Sequence, residues 1–162
     1  MADFIKKVVM LGDPMVGKTS LVQRYVKNMF DDTYLTTIGT KPSKKEVKVG
    51  QSNVIIMIWD IAGHSYTLHP EYYVGAKGAL LVCDLTRRST LENLMSWYTS
   101  LANRVGDVPI VILANKADVL KSEFNLEDVE RLGFRAMRTS AKTGENVELA
   151  FMTLAEDMTD ER

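Results

Sequence analysis

The segment Gly12-Asp13-Pro14-Met15-Val16-Gly17-Lys18-Thr19 separates an apolar run, Ile5 to Leu11, from an amphipathic stretch, Lys18 to Asn28. The apolar run suits a strand, and Leu21, Val22, Tyr25 and Val26 recur at helical spacing along the stretch that follows. A strand that turns into a helix through a glycine-bounded loop is the opening unit of a parallel sheet with helical crossovers. The rest of the chain keeps the alternation. Lys44 to Val49 and Asn53 to Trp59 flank Gly50-Gln51-Ser52, the pattern of a hairpin. The first of these alternates Lys and Val and suits an exposed edge strand, whereas the second is apolar throughout and is expected to be buried on both faces. Ala79 to Asp84 and Pro109 to Ala114 are further buried strands, and Phe134 to Thr139 is a weaker one. Thr90 to Val105 is predicted as one helix, with Leu91, Leu94, Met95, Tyr98, Leu101 and Val105 along its stripe. Leu126 to Leu132 is a short helix and Val147 to Met158 the last one. Phe30 to Thr40 is polar and Thr-rich, a loop, and Ala62 to Lys77 is irregular or helical. The expectation is a single α/β domain across 1–162, an open, six-stranded, mostly parallel sheet with helices on both faces.

A chain of 162 residues with a net charge of −1 has no basic excess with which to neutralise a nucleic-acid backbone, so nucleic acid is excluded as a partner. The lone cysteine, Cys83, lies in an apolar run, forms no internal disulfide and fits a reducing, cytoplasmic setting as a buried small hydrophobe. The apolar runs Val54 to Trp59 and Val108 to Ala114 fall far short of the ~20 residues a membrane span needs. The N-terminus shows no signal-peptide pattern.

The segment Gly12 to Thr19 fits G-x-x-x-x-G-K-S/T, and it has the strand before it and the helix after it that the pattern requires. Glycines let the backbone curl so that successive N–H groups face phosphate oxygens, and the helix N-terminus adds partial positive charge. Lys18 would contribute a point charge for β- and γ-phosphates, and the Thr19 hydroxyl can ligate Mg²⁺. The plain alternative is a glycine turn beside a solvated lysine. Every other motif also falls at the carboxyl end of an expected strand, where open α/β sheets bind ligands.

Asn115-Lys116-Ala117-Asp118 follows the strand Pro109 to Ala114, and Ser140-Ala141-Lys142 follows Phe134 to Thr139. Together with the loop Gly12 to Thr19, these segments resemble the N-K-x-D and S-A-K motifs of the Ras-like small GTPases, and the likeness runs from about Ile5 to Met158. The resemblance implies a P-loop NTPase G domain that binds GTP or GDP. Asp118 would accept hydrogen bonds from guanine N1–H and N2–H₂, which adenine lacks, and a buried carboxylate facing adenine unpaired discriminates by about 10⁴ or more. Asn115 would brace the loops, Lys116 would lay its stem along the base, and the Ala141 N–H would meet guanine O6. Asp13, Pro14, Met15, Val16 and Ser20 would join the phosphate contacts around Gly12, Gly17, Lys18 and Thr19, and Ser140 and Lys142 the base contacts.

Trp59-Asp60-Ile61-Ala62-Gly63-His64 resembles the family's W-D-x-A-G-Q. By that match Asp60 holds Mg²⁺ through water and the Gly63 N–H reports the γ-phosphate. Thr37, in Thr36-Thr37-Ile38-Gly39, matches the switch threonine that completes the Mg²⁺ shell; an ordinary loop threonine is the alternative. Phe30 stands where the family places an aromatic against guanine, or it is a core residue. Tyr34 stands where a tyrosine caps the phosphates. γ-Phosphate and Mg²⁺ would pull Thr37 and Gly63 inward and order both loops, so effectors, exchange factors and activating proteins would read segments 30–42 and 60–77.

Tyr72-Tyr73-Val74-Gly75-Ala76, Leu80 to Thr86 and Thr139 to Val147 look most like the Rab branch, which implies membrane traffic by analogy. The chain departs from the pattern at four places. His64 replaces the glutamine that orients the attacking water; translational and some coat-vesicle GTPases carry histidine there, and a neutral imidazole can orient water, unless His64 is an exposed loop residue without a catalytic role. Pro14 removes one N–H and adds a ring near the γ-phosphate, which predicts poor access for an arginine finger in trans. Thr40-Lys41-Pro42 replaces the acidic and aromatic residues typical of Rab proteins. No cysteine follows the last helix up to Arg162, so no prenyl anchor is expected from this chain. No arginine stands at the expected switch position, where Leu35 and Thr36 sit. The expectation is a monomeric switch with Lys18, Gly63 and His64 at its catalytic centre and slow hydrolysis, on the order of 10⁻⁴ to 10⁻² s⁻¹. The alternative is a GTP-loaded interaction module without useful turnover.

Overall fold

A computed structural model describes residues 3–30, 42–61 and 70–159. In chain order the elements are β1 (Phe4–Leu11), α1 (Lys18–Lys27), β2 (Pro42–Val49), β3 (Ser52–Asp60), a 3-10 turn (Pro70–Tyr73), β4 (Ala76–Asp84), α2 (Arg88–Glu92), α3 (Leu94–Val105), β5 (Ile110–Asn115), α4 (Leu126–Glu130), β6 (Arg135–Arg138) and α5 (Val147–Thr159). The strands form a 6-stranded sheet in the order β2-β3-β1-β4-β5-β6. The hairpin pair β2–β3 is antiparallel and every other pair is parallel. Strand β1 lies between β3 and β4, so the chain leaves it toward one side and later returns on the other. That reversal opens a crevice at the carboxyl end of β1.

Period-two alternation along β1 sends Val8 and Met10 to one apolar layer and Val9 and Leu11 to the other. The first layer is closed by Leu21, Val22 and Tyr25 of α1 and by Ala150, Phe151 and Leu154 of α5. The second is closed by Leu91 of α2, Leu94, Trp97 and Leu101 of α3 and Val129 of α4. Helices therefore cover both faces, and β5, between β4 and the edge strand β6, is buried at every position. Cys83 sits inside β4, where burial and then the neighbouring Asp84 charge push its thiol up to about 12. Among the described residues no helix is long and apolar enough to cross a membrane.

Three details differ from the sequence reading. Strand β3 is not buried on both faces: Val54, Ile56 and Ile58 are buried, while Ile55, Met57 and Trp59 alternate with them at intermediate exposure. Its neighbour is the edge strand, and its second face meets ring contacts rather than a full layer, with Lys7 over Trp59 at 4.5 Å and Tyr72 tilted against it at 6.1 Å. The predicted helix Thr90 to Val105 is two helices, joined at Asn93, whose side chain turns away toward Asp13. The buried stripe of α3 is Leu94, Trp97 and Leu101, and Met95 is exposed, because the new start at Leu94 rotates the apolar face onto Trp97. Helix α4 begins at a capping box in which Asn125 and Asp128 bond each other's backbone N–H, a sequence signal the reading did not use.

Tyr25 and Phe151 stack with centroids 3.9 Å apart and planes within 1°, which joins α1 to α5 beneath the sheet. Truncation of the ring leaves a cavity between two fixed helices. Phe151→Ala is expected to cost about 3–5 kcal/mol, read as a lower urea midpoint at unchanged m-value. A midpoint equal to the parent's would show that the stack carries no stability.

Candidate functional site

The loop after β1 curls because glycine is required at both ends. Gly12 has φ +152, and a Cβ there would lie 2.3 Å from the Val82 carbonyl oxygen. Gly17 has φ +103, and its Cβ would lie 2.3 Å from Nδ2 of Asn115. Met15 stands between them at φ 70 although it carries a side chain. Gly17 caps α1 without any side-chain hydrogen bond, and the first turn holds no acidic residue. No side-chain oxygen or carboxylate of the cap or first turn competes with an anion at this helix N-terminus.

Lys18 is 6% exposed and its Nζ donates to the carbonyls of Gly12 at 2.8 Å and Asp13 at 3.0 Å. Burial lowers its pKa to about 8, although the charges of Asp60 and Asp13 oppose the shift. The Thr19 hydroxyl donates to Oδ2 of Asp60, which comes from the end of β3 and is 8% exposed. A hydroxyl and a carboxylate in contact at the mouth of an anion seat are hard oxygen donors, and they fit Mg²⁺, which keeps waters and substrate phosphates in its shell. No group of three or more His, Cys, Asp or Glu side chains able to hold a metal exists among the described residues.

The base-side motifs meet the phosphate loop through Asn115. This residue is 2% exposed; its Nδ2 donates to the Val16 carbonyl at 2.9 Å and its Oδ1 accepts from the Thr139 hydroxyl at 3.0 Å. The Ser140 hydroxyl donates to Oδ1 of Asp118 at 2.7 Å and accepts from the Thr143 N–H at 3.1 Å. Asp118 is exposed, not buried as the discrimination argument assumed. It projects from the loop beyond β5, so a seated base itself would have to exclude water from it. Ala141 is buried and Lys142 exposed, and Arg24 of α1 grips both carbonyls, with Nε 2.7 Å from the Ala141 oxygen and Nη2 on that of Lys142. Lys116 adopts φ 69 and places Nζ 3.0 Å from Oδ2 of Asp84.

The structure thus brings Gly12, Asp13, Pro14, Met15, Val16, Gly17, Lys18, Thr19 and Ser20 into one rim with Asp60, Asn115, Lys116, Asp118, Ser140, Ala141 and Lys142. Phe30 is half-buried, packed against the apolar layer of α1 and α5. Tyr34, Thr37, Gly63 and His64 lie outside the described residues.

Sequence reasoning missed Arg24, Asp84, Arg87, Asn93 and Trp97. Asp13 turns its carboxylate away from Lys18's loop toward α3, where Asn93 Nδ2 donates at 2.7 Å and Trp97 Nε1 at 2.9 Å. The spacing of Asn93 and Trp97, one helical turn apart, was the available signal. Asp84 ends β4 at 1% exposure. Burial alone would raise its pKa, but bonds from the Thr86 hydroxyl and N–H and from Lys116 hold it below the usual carboxylate range. A charge ending a buried strand on the ligand side of the sheet was the signal there. Arg87 had only its pairing with Asp84, three residues away, as a local signal, and nothing local pointed to the Pro14 carbonyl; Arg24 carried no signal toward Ala141 and Lys142, because those partners are distant in sequence.

Gly17→Ala drives a methyl group into the Asn115 amide and is expected to cost about 2 kcal/mol or more in stability. In an Asn115→Ala background the same change is expected to cost less, because the clash is gone. Strictly additive losses in thermal unfolding would show that the two sites do not meet.

The model of the Ras family matches residues 7–160 of this chain. The chain is 35% identical to Ras-related protein Rab-8A of Rattus norvegicus and to Ras-related protein Rab-8B of Homo sapiens, over 96% of its own length and 79% of theirs. Ras-related protein Rab-8A of Bos taurus matches at the same identity and coverage. The chain belongs to the Ras family, as a small GTPase near the Rab branch.

Proposed function

We propose that residues 1–162 form one G domain that binds GTP or GDP with Mg²⁺, hydrolyses GTP slowly and presents segments 30–42 and 60–77 to partners according to the nucleotide bound. The Asn115 crosslink carries this reading: it fixes the distance between the loop that suits phosphates and the loop that bears Asp118. Lys18 and the N–H groups of the loop and of α1 would hold the β- and γ-phosphates. Thr19 and Asp60 would hold Mg²⁺, with Thr37 joining them in the GTP form; the ion supplies charge neutralisation between the phosphates. Asp118, fixed by Ser140, would read the guanine N1–H and N2–H₂, while Ala141 offers its N–H to O6. Gly63 would sense the γ-phosphate and His64 would orient water. The Rab-like character of the chain suggests membrane traffic, and its partners would be effectors, exchange factors and activating proteins.

Chromatography of the nucleotide released on denaturing the purified protein tests the base assignment. GDP or GTP is expected; ADP or ATP would mean that Asp118 reads no guanine. Single-turnover hydrolysis of preloaded GTP tests the switch histidine. His64→Ala is expected to lower the rate by about tenfold or more, and His64→Gln to equal or exceed the parent. Equal rates in all three proteins would remove His64 from the chemistry and favour the GTP-loaded interaction module.

A further inference from the structure

We infer that Arg87 is a positioning residue for the phosphate loop: it turns the Pro14–Met15 peptide so that the Met15 N–H faces the ligand, and through Asp84 it ties that peptide to Lys116 of the base motif. The inference rests on the reading above, that this loop holds nucleotide phosphates.

Arg87 lies in the turn between β4 and α2, and its Nη2 donates to the Pro14 carbonyl at 2.9 Å. A trans peptide is planar, with its C=O and N–H on opposite sides. An outward Pro14 carbonyl therefore means an inward Met15 N–H. That donor weighs more here than in a loop without proline, because Pro14 has no N–H to offer. The conformation does not hold itself. Met15 sits at φ 70, in the left-handed region, where a residue with a side chain is strained. Its side chain is 53% exposed, so packing does not fix it.

Arg87 is itself held by Asp84. Its Nε lies 3.1 Å from Oδ2 of Asp84, while Oδ1 of Asp84 is taken by the Thr86 N–H at 2.8 Å and the Thr86 hydroxyl at 2.6 Å. The carboxylate is thereby fixed with one oxygen for the cations. Lys116 Nζ approaches the same oxygen at 3.0 Å. The two halves of the site meet at one buried atom. A planar guanidinium can span Asp84 and the Pro14 carbonyl at once, whereas an ammonium reaches one of them. Loss of Arg87 leaves Asp84 with Lys116 and Thr86, so the variant has no orphaned buried charge.

The test uses the whole chain loaded with fluorescent GDP and Mg²⁺. Arg87→Ala is expected to release GDP about tenfold faster than the parent, the scale of one charge-assisted hydrogen bond. Arg87→Lys is expected not to restore the parental rate. In competition binding, GDP is expected to lose affinity to the variant while GMP, which lacks the outer phosphate, loses little. A ¹⁵N spectrum is expected to show the Met15 amide moving on GDP binding in the parent and much less in Arg87→Ala. A parent that fails to retain GDP would remove the functional reading and this inference with it. A parent that retains GDP while Arg87→Ala releases it at the parental rate would overturn the inference alone. So would full rescue by lysine, or equal losses for GDP and GMP, since a general structural weakening predicts both.

Discussion

The site depends on a buried amide. Asn115 ends the most fully buried strand of the sheet, and its side chain bonds the phosphate-loop backbone on one side and Thr139 on the other. At 2% exposure neither bond competes with water, so each is worth more than a surface contact and costs more to break. Gly17 completes the joint from the opposite direction, since only a missing Cβ lets the loop come this close to the amide. Loops that would otherwise move independently become one rim. Arg24 repeats the principle on the far edge, where a guanidinium from α1 fixes the carbonyls of Ala141 and Lys142.

Strain and donors are distributed accordingly. Of the non-glycine residues with positive φ, Met15 lies in the phosphate loop and Lys116 in the base motif. Such conformations persist where surrounding contacts over-determine them. Here those contacts converge on Asp84, whose Oδ2 accepts from Arg87 and Lys116 alike. The carboxylate of Asp13 is likewise kept from the anion seat by Asn93 and Trp97. A phosphate group would meet N–H groups and a lysine rather than a second anion.

The sequence made the architecture legible because its signals are local and repeated. Apolar runs gave the strands, glycine and lysine at fixed spacing gave the loop, and the order of the motifs placed them at the strand ends. Phase errors arose where a local pattern was overruled from a distance. Met95 satisfies helical spacing from Leu91, yet the break at Asn93, set by a bond to Asp13, brings Trp97 inward instead. Strand β3 reads as buried on both faces from composition alone, but which side is covered depends on neighbours that composition does not name. In the site, residues of the motifs were legible and their supports were not. Arg24, Asp84 and Arg87 act through partners such as Ala141, Lys116 and Pro14, and no spacing rule joins residues that meet only in the folded chain. Asp118 shows the converse: the motif identifies it, but whether the chain itself buries it is decided by the loops around it.

The energetics of Lys18 show why the fold and its ligand belong together. An ammonium ion at 6% exposure, held by two carbonyls, has lost most of its hydration, and those dipoles with the charges of Asp60 and Asp13 offset only part of the loss, which is why its proton is held more weakly than in water. The first turn of α1 beside it has neither a side-chain cap nor an acidic residue. Both features cost the fold stability, and an anion in the curve of the loop would offset both. A chain built for stability alone would place a serine or aspartate at the cap and a neutral side chain at position 18. Keeping an uncapped helix and a buried cation makes the folded state depend on ligand concentration by mass action. The same deficit would concentrate the attraction for a bound ligand on the curve of the loop, at Lys18 and the N-terminus of α1.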